Sequence, residues 1–103
     1  MRKQFIDELP SSWVKRARVL HALGDETRQR ILLLFEPGEE LSIKDIADMF
    51  PFSRTNIAHH IGVLEKAGIL IRHKKGRDVL LRLEKNAITD ALENVLIYVR
   101  TEA

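Results

Sequence analysis

The stretch SRTNIAHHIGVLEKAGIL, residues 53–70, carries two sets of side chains that could do chemistry. His59 and His60 suggest a metal ion or proton transfer. Ser53, Arg54, Thr55 and Asn56, just before them, suggest hydrogen bonds to bases and phosphates. On a helix, neighbouring residues point about 100° apart. That geometry ill suits one ion held about 2.0–2.1 Å from both rings, since helical metal pairs use i,i+3 or i,i+4 spacing. Thr55, Asn56, Gly62, Val63 and Leu64 occupy positions at that spacing, and none is a good ligand. No strand–turn–helix elbow or partner carboxylate accompanies Ser53, so hydrolase chemistry has no support either.

The polar set reads differently. Ser53 is placed to cap a helix whose apolar positions Ile57, Ile61 and Leu64 recur at helical spacing. Arg54, Thr55, Asn56 and His59 then lie on the exposed side of its first two turns. Arginine suits the two acceptors of guanine, asparagine suits adenine, and threonine can meet a thymine methyl. His60 belongs either with these contacts or with the packing of the helix. A solvated face is the plainer alternative for all of them.

The surrounding elements explain how such a helix would be held. A first helix is expected from about Ser12, read as its cap, to Leu23, and Asp25 can cap a second, ETRQRILLLF. Pro37-Gly38 makes a turn. Ser42 opens a short third helix, IKDIADMF, which Pro51 ends, and Gly68 sits where a left-handed C-terminal residue belongs. Beyond Gly68 the period becomes that of strands, on either side of Lys74-Lys75-Gly76-Arg77, a hairpin tip with three cations. A last helix from about Asn86 carries the apolar stripe Ile88, Leu92, Val95, Leu96 and Val99. Together with Trp13 and Leu20 of the first helix, this stripe is a candidate dimer seam, which Phe5, Ile6 and Leu9 would extend.

Composition narrows the classes. With 45% apolar and 31% charged residues the 103-residue chain should fold as one globular domain. Zero cysteines exclude disulfides, thiolate metal sites and thiol nucleophiles. No apolar run approaches the roughly 20 residues of a membrane span, and MRKQFIDELP lacks the long apolar region of a signal peptide, so a cytoplasmic location is expected. Residues 54–82 hold 7 Lys/Arg against 2 Asp/Glu, a net of +5, whereas residues 1–53 carry −1 and residues 83–103 carry −2. Positive charge gathered beside the candidate contact helix is the footprint of a polyanion binder. Lys74, Lys75 and Arg77 would neutralise phosphates or reach a minor groove.

The order of elements is that of a winged helix-turn-helix: mainly α with a small β-hairpin, one domain over residues 1–103. The helix-turn-helix would occupy about 42–67, the wing about 69–83, and the dimerising helices about 12–23 and 86–100. At these residues the sequence resembles the arsenic-repressor (ArsR-type) family of bacterial transcription regulators. The similarity is carried by LGDETRQRIL, by ELSIKDIADMFPFSRTNIAHHIGVLEKAGIL and by the wing IRHKKGRDVLLRL. It implies a homodimer on a partly palindromic double-stranded DNA operator, usually repressing transcription until a signal releases it. One metal site of the family uses thiolates in a segment like E-L-C-V-C-D, where this chain has Ser42 and Lys44. Another uses Asp and His pairs on the last helix, which here contains no histidine. Pro51, Ala58 and Gly62 also depart from the family pattern, and Gly62 stands where a lysine is common.

The expectation is therefore a non-enzymatic, sequence-specific DNA-binding repressor with no cofactor, no metal site and no membrane partner. Its DNA contacts would be Ser53, Arg54, Thr55, Asn56, His59, His60, Lys74, Lys75 and Arg77. Two alternatives stay open: a winged helix that docks a protein, and a sensor of an unidentified ligand at the dimer interface, built from His21, His73 or acidic residues.

Overall fold

Proline and serine both lie at the start of the first helix, and the proline position caps it. In the computed structural model, which describes residues 1–103, helix α1 spans Ser11–Leu23. The Pro10 carbonyl accepts from the amides of Trp13 and Val14 at 2.9 and 3.0 Å. Ser12, expected to cap the helix, lies inside its first turn, because the extended Pro10 already presents its carbonyl to the free amides. Helix α2 spans Glu26–Leu33, and the Asp25 carboxylate accepts from the Arg28 amide at 3.1 Å. It stops short of Phe35: the amides of Leu34 and Phe35 bond carbonyls three residues back, tightening the chain before the Pro37 turn.

The next element has no counterpart in the sequence pattern. Glu40–Ser42 forms a three-residue strand, β1, before α3 (Ile43–Asp48) begins under a Ser42 cap. Helix α4 spans Arg54–Lys66, β2 Leu70–Lys75, β3 Asp78–Leu83 and α5 Lys85–Glu102. The sheet is antiparallel in the order β1-β3-β2, with Leu41 opposite Leu81 and Leu70 opposite Leu83. The strands thus reach further toward the tip than the alternating residues alone suggest, and a third strand backs the wing.

Of the three glycines at positive φ, a conformation other residues adopt only under strain, two shape the site. Gly68 has φ +75, its amide bonds the Glu65 carbonyl, and the Ile69 amide bonds Leu64. This closes the end of α4 in the paired-bond arrangement that turns a helix sharply into a strand. Gly76 has φ +65 at the first position of the two-residue loop between Lys75 and Asp78, which matches the twist of a tight hairpin.

The core lies among α1–α4 and the inner face of the sheet. Ile31, Ile46, Ile57, Ile61, Leu64, Ile69 and Leu81 are fully buried there, and each contributes about 1.5–3 kcal/mol by leaving water. Helix α5 stands partly outside this core. Ala91 is buried, Ala87 and Ile88 pack against the core's edge, and Tyr98 meets the Trp13 ring edge-on with centroids 5.1 Å apart. Arg2 donates to the Tyr98 hydroxyl and to the Glu102 carbonyl. The molecule is elongated, 53 × 26 × 20 Å, with a radius of gyration of 16.2 Å where about 13 Å is usual for this length. No helix is long and apolar enough to cross a membrane.

Candidate nucleic-acid interface

Helix α4 is built to show one polar face. Ile57, Ile61 and Leu64 turn fully inward and fix the helix against the core, leaving Thr55, Asn56 and His59 exposed on the other side. The Ser53 hydroxyl accepts from the Asn56 amide at 3.0 Å and fixes the N-terminus. The remaining first-turn amides have no partner within the helix and face solvent at its positive end. Arg54 is 72% exposed, 4.0 Å from Asp48 of α3, so a loose ion pair leaves it available to a ligand. Gly62 lies on the same side, two turns after Thr55 and one after His59, with open space where a side chain would project.

The turn between α3 and α4 is closed by aromatic packing. Phe50 and Phe52 flank Pro51, their rings stacked 6.1 Å apart with 18° between planes. The turn needs no left-handed residue, since no residue other than glycine has a positive φ anywhere in the chain.

At the wing, Lys74, Lys75 and Arg77 are exposed, and none of the seven ion pairs involves them. Arg72, two residues before the tip, is committed elsewhere. Its guanidinium donates twice to Glu65 of α4, at 3.1 and 2.7 Å. That bidentate bond raises the Arg72 pKa further and locks the base of the wing to α4. His73 bridges to Glu40 of β1 at 2.9 Å. No group of three or more His, Cys, Asp or Glu side chains gathers at metal-binding distance.

The two histidines separate in role. His59 points out. His60 is turned toward α2, its side chain only 13% exposed, with Nδ1 3.0 Å from Arg28 Nη1 and 3.9 Å from Asp25. Expected among the DNA contacts, His60 is instead engaged inside the protein. Arg28 is absent from the sequence-based site, although one signal points to it. It lies three residues before buried Ile31 on a helix, so helical spacing places a charged side chain on the inner face. It is the one buried charged residue, 7% exposed. The Arg28 amide bond is the main reason the Asp25 carboxyl sits below the usual carboxylate range, and the Arg28 charge adds to it.

A capped helix with a polar outer face, set against a short helix and flanked by a cationic β-hairpin, defines a winged helix-turn-helix. A helix-turn-helix domain model matches residues 23–73. The chain is 31% identical over 81 residues to the transcriptional repressor SdpR of Bacillus subtilis, covering 79% of this chain and 89% of that one. The fold superposes on an ArsR-like transcriptional regulator from Rhodococcus sp. RHA1 with a TM-score of 0.79 at 26% identity, over 88% of this chain and 85% of that one. It also matches the homodimeric winged helix-turn-helix DNA-binding domain Mb0332 of Mycobacterium bovis, with a TM-score of 0.69 at 18% identity, over 99% and 94% of the two chains. The chain belongs to the ArsR-type family of helix-turn-helix transcription regulators.

Proposed function

We propose that this regulator is a homodimeric repressor that places α4 of each protomer in successive major grooves of a partly palindromic operator. The observation that carries this reading is the outward row of Arg54, Thr55, Asn56 and His59 on a capped helix, beside wing cations that pair with nothing in the protein. Arg54, Thr55, Asn56 and His59 read base edges, while Ser53 and the helix end meet a phosphate. Lys74, Lys75 and Arg77 supply affinity that is independent of sequence.

Dimer formation is supported by the outer face of α5. Leu92, Leu96 and Val99 are 45%, 45% and 52% exposed and follow one another at helical spacing, with Val95 half-buried beside them. Leu20 of α1, 40% exposed, adds to the apolar surface. Trp13 and Ile88, also expected at the seam, are occupied within their own chain and support the helix from behind. The Mycobacterium bovis neighbour, described as homodimeric, fits this assembly. Ser42 and Lys44 at the start of α3, and an α5 without histidine, support a regulator without the family's metal sites.

The test is selection of bound fragments from source genomic DNA. The expected result is one motif with two related half-sites centred about 10–10.5 base pairs, or a multiple of that, apart. Recovery of fragments with no shared motif, at salt low enough for binding, overturns the reading.

A further inference from the structure

The polar contact buried behind α4 has no part in meeting DNA, yet it joins three helices. Arg28 Nε donates to the Ala22 carbonyl at 2.8 Å and Nη2 donates to the His21 carbonyl at 3.0 Å. Both carbonyls belong to the last turn of α1, where the helix end carries partial negative charge; the His21 carbonyl also accepts from the Gly24 amide at 3.2 Å. The guanidinium is a rigid, planar fork that can only donate. With two prongs held on α1, the position of the third is set, and it points at His60 Nδ1 from 3.0 Å. Nδ1 therefore accepts, and the ring proton sits on Nε2.

Apolar packing of Ile57, Ile61 and Leu64 holds α4 down but is non-directional. A hydrogen bond is directional. The bond to His60 thus adds, on the α2 side and beside the outward row, a stop on rotation about the helix axis that the Arg72–Glu65 pair supplies only at the far end of α4. His59 is the next residue and Asn56 is one turn back, so any rotation at His60 is passed to the outward row. Base-reading side chains have to be held within about 0.5 Å and 10–20° to work.

We infer that Arg28 and His60 form a positioning pair that sets the rotation of α4, and with it sequence discrimination rather than general DNA affinity. This rests on the operator-reading proposal above.

The experiment compares His60→Asn with His60→Leu, in the full chain, on the selected site and on a random duplex. Asparagine carries an acceptor oxygen at the branch point that Nδ1 occupies. Leucine fills the space and is the better helix former, but accepts nothing. If His60 merely packs, leucine should outperform asparagine. As a positioning residue it should show the opposite order. The Leu variant should lose about tenfold of the preference for the selected site, while the Asn variant stays within about threefold of wild type. Affinity for random DNA at low salt should change less than about twofold in both, since phosphate contacts are untouched. Arg28→Lys should match the Leu variant, and combining the two should add little. A Leu variant with wild-type preference, or one ranking at or above Asn, overturns the inference. Wild-type protein without site preference would show first, and would overturn the operator-reading proposal itself.

Discussion

Helices α4 and α5 expose faces to solvent that are opposites in kind. The outer side of α4 shows Thr55, Asn56 and His59, each able to form directed hydrogen bonds. The outer side of α5 shows Leu92, Leu96 and Val99, which form none. Neither is needed for the core, because each helix turns a different set of residues inward. A polar face on a helix costs little in water, so it persists without a partner. An apolar row at half exposure does cost, and a second copy of the same row is the simplest surface that relieves it. Under the proposed function the difference separates reading from assembly, and each can be broken alone.

The largest effect should come from assembly. Leu92→Asp with Leu96→Asp removes four leucines from a symmetric interface, at about 1.5 kcal/mol or more each. The dimer dissociation constant should rise at least about 10⁴-fold, with sedimentation velocity showing a monomer at micromolar concentration. Because both leucines are exposed within the chain, the helical circular dichroism should stay near that of wild type. A variant that remains dimeric would show that α5 is not the seam.

Arg54→Ala acts on the other face. Its expected cost is about 1–3 kcal/mol of discrimination if the guanidinium meets guanine, with dimerisation unchanged. Competition between the selected site and a single-base variant is the measurement. Undiminished preference would return Arg54 to its loose pair with Asp48. Replacing Lys74 and Lys75 by glutamine should weaken binding to every sequence alike. The slope of log affinity against log salt should become shallower by about 0.9 for each phosphate that is no longer neutralised. An unchanged slope would take the wing tip off the DNA.

The outward polar face of α4 is legible in the chain, and the contact behind it is not. Ser53, followed by Ile57, Ile61 and Leu64, contains both a start signal and a period, and both depend only on local geometry. Gly68 and Gly76 are legible for the same reason, since a backbone turn needs a specific φ. The Arg28 contact depends on which helix lies opposite, and spacing within α2 says only that something polar points inward. Strand β1 is hidden because three residues show no period, and Ser42 at its end already reads as a helix cap. Ser12 misleads because either of two nearby positions, Pro10 or Ser12, could cap α1, and the proline carbonyl is the one used.

The smallest expected effect lies where the reading helix meets its support. Asp25 caps α2 through the Arg28 amide and stands 3.9 Å from His60, so it braces the residue that holds α4. Asp25→Ala should cost about 1 kcal/mol of stability at neutral pH, the usual worth of such a cap. Its pKa is lowered from 3.8 by folding, chiefly through that amide bond. The unfolded chain then binds a proton more readily than the folded one, so stability from the charge is complete above the unfolded value and is lost as pH falls through the folded one. Urea titrations should show wild type and Asp25→Ala about 1 kcal/mol apart at pH 7, converging as pH drops below 3.8. A gap that persists undiminished in strong acid would mean that the cap acts through its shape and not its charge. The α2–α4 junction would then be insensitive to acid at this residue, while the faces of α4 and α5 would be unaffected.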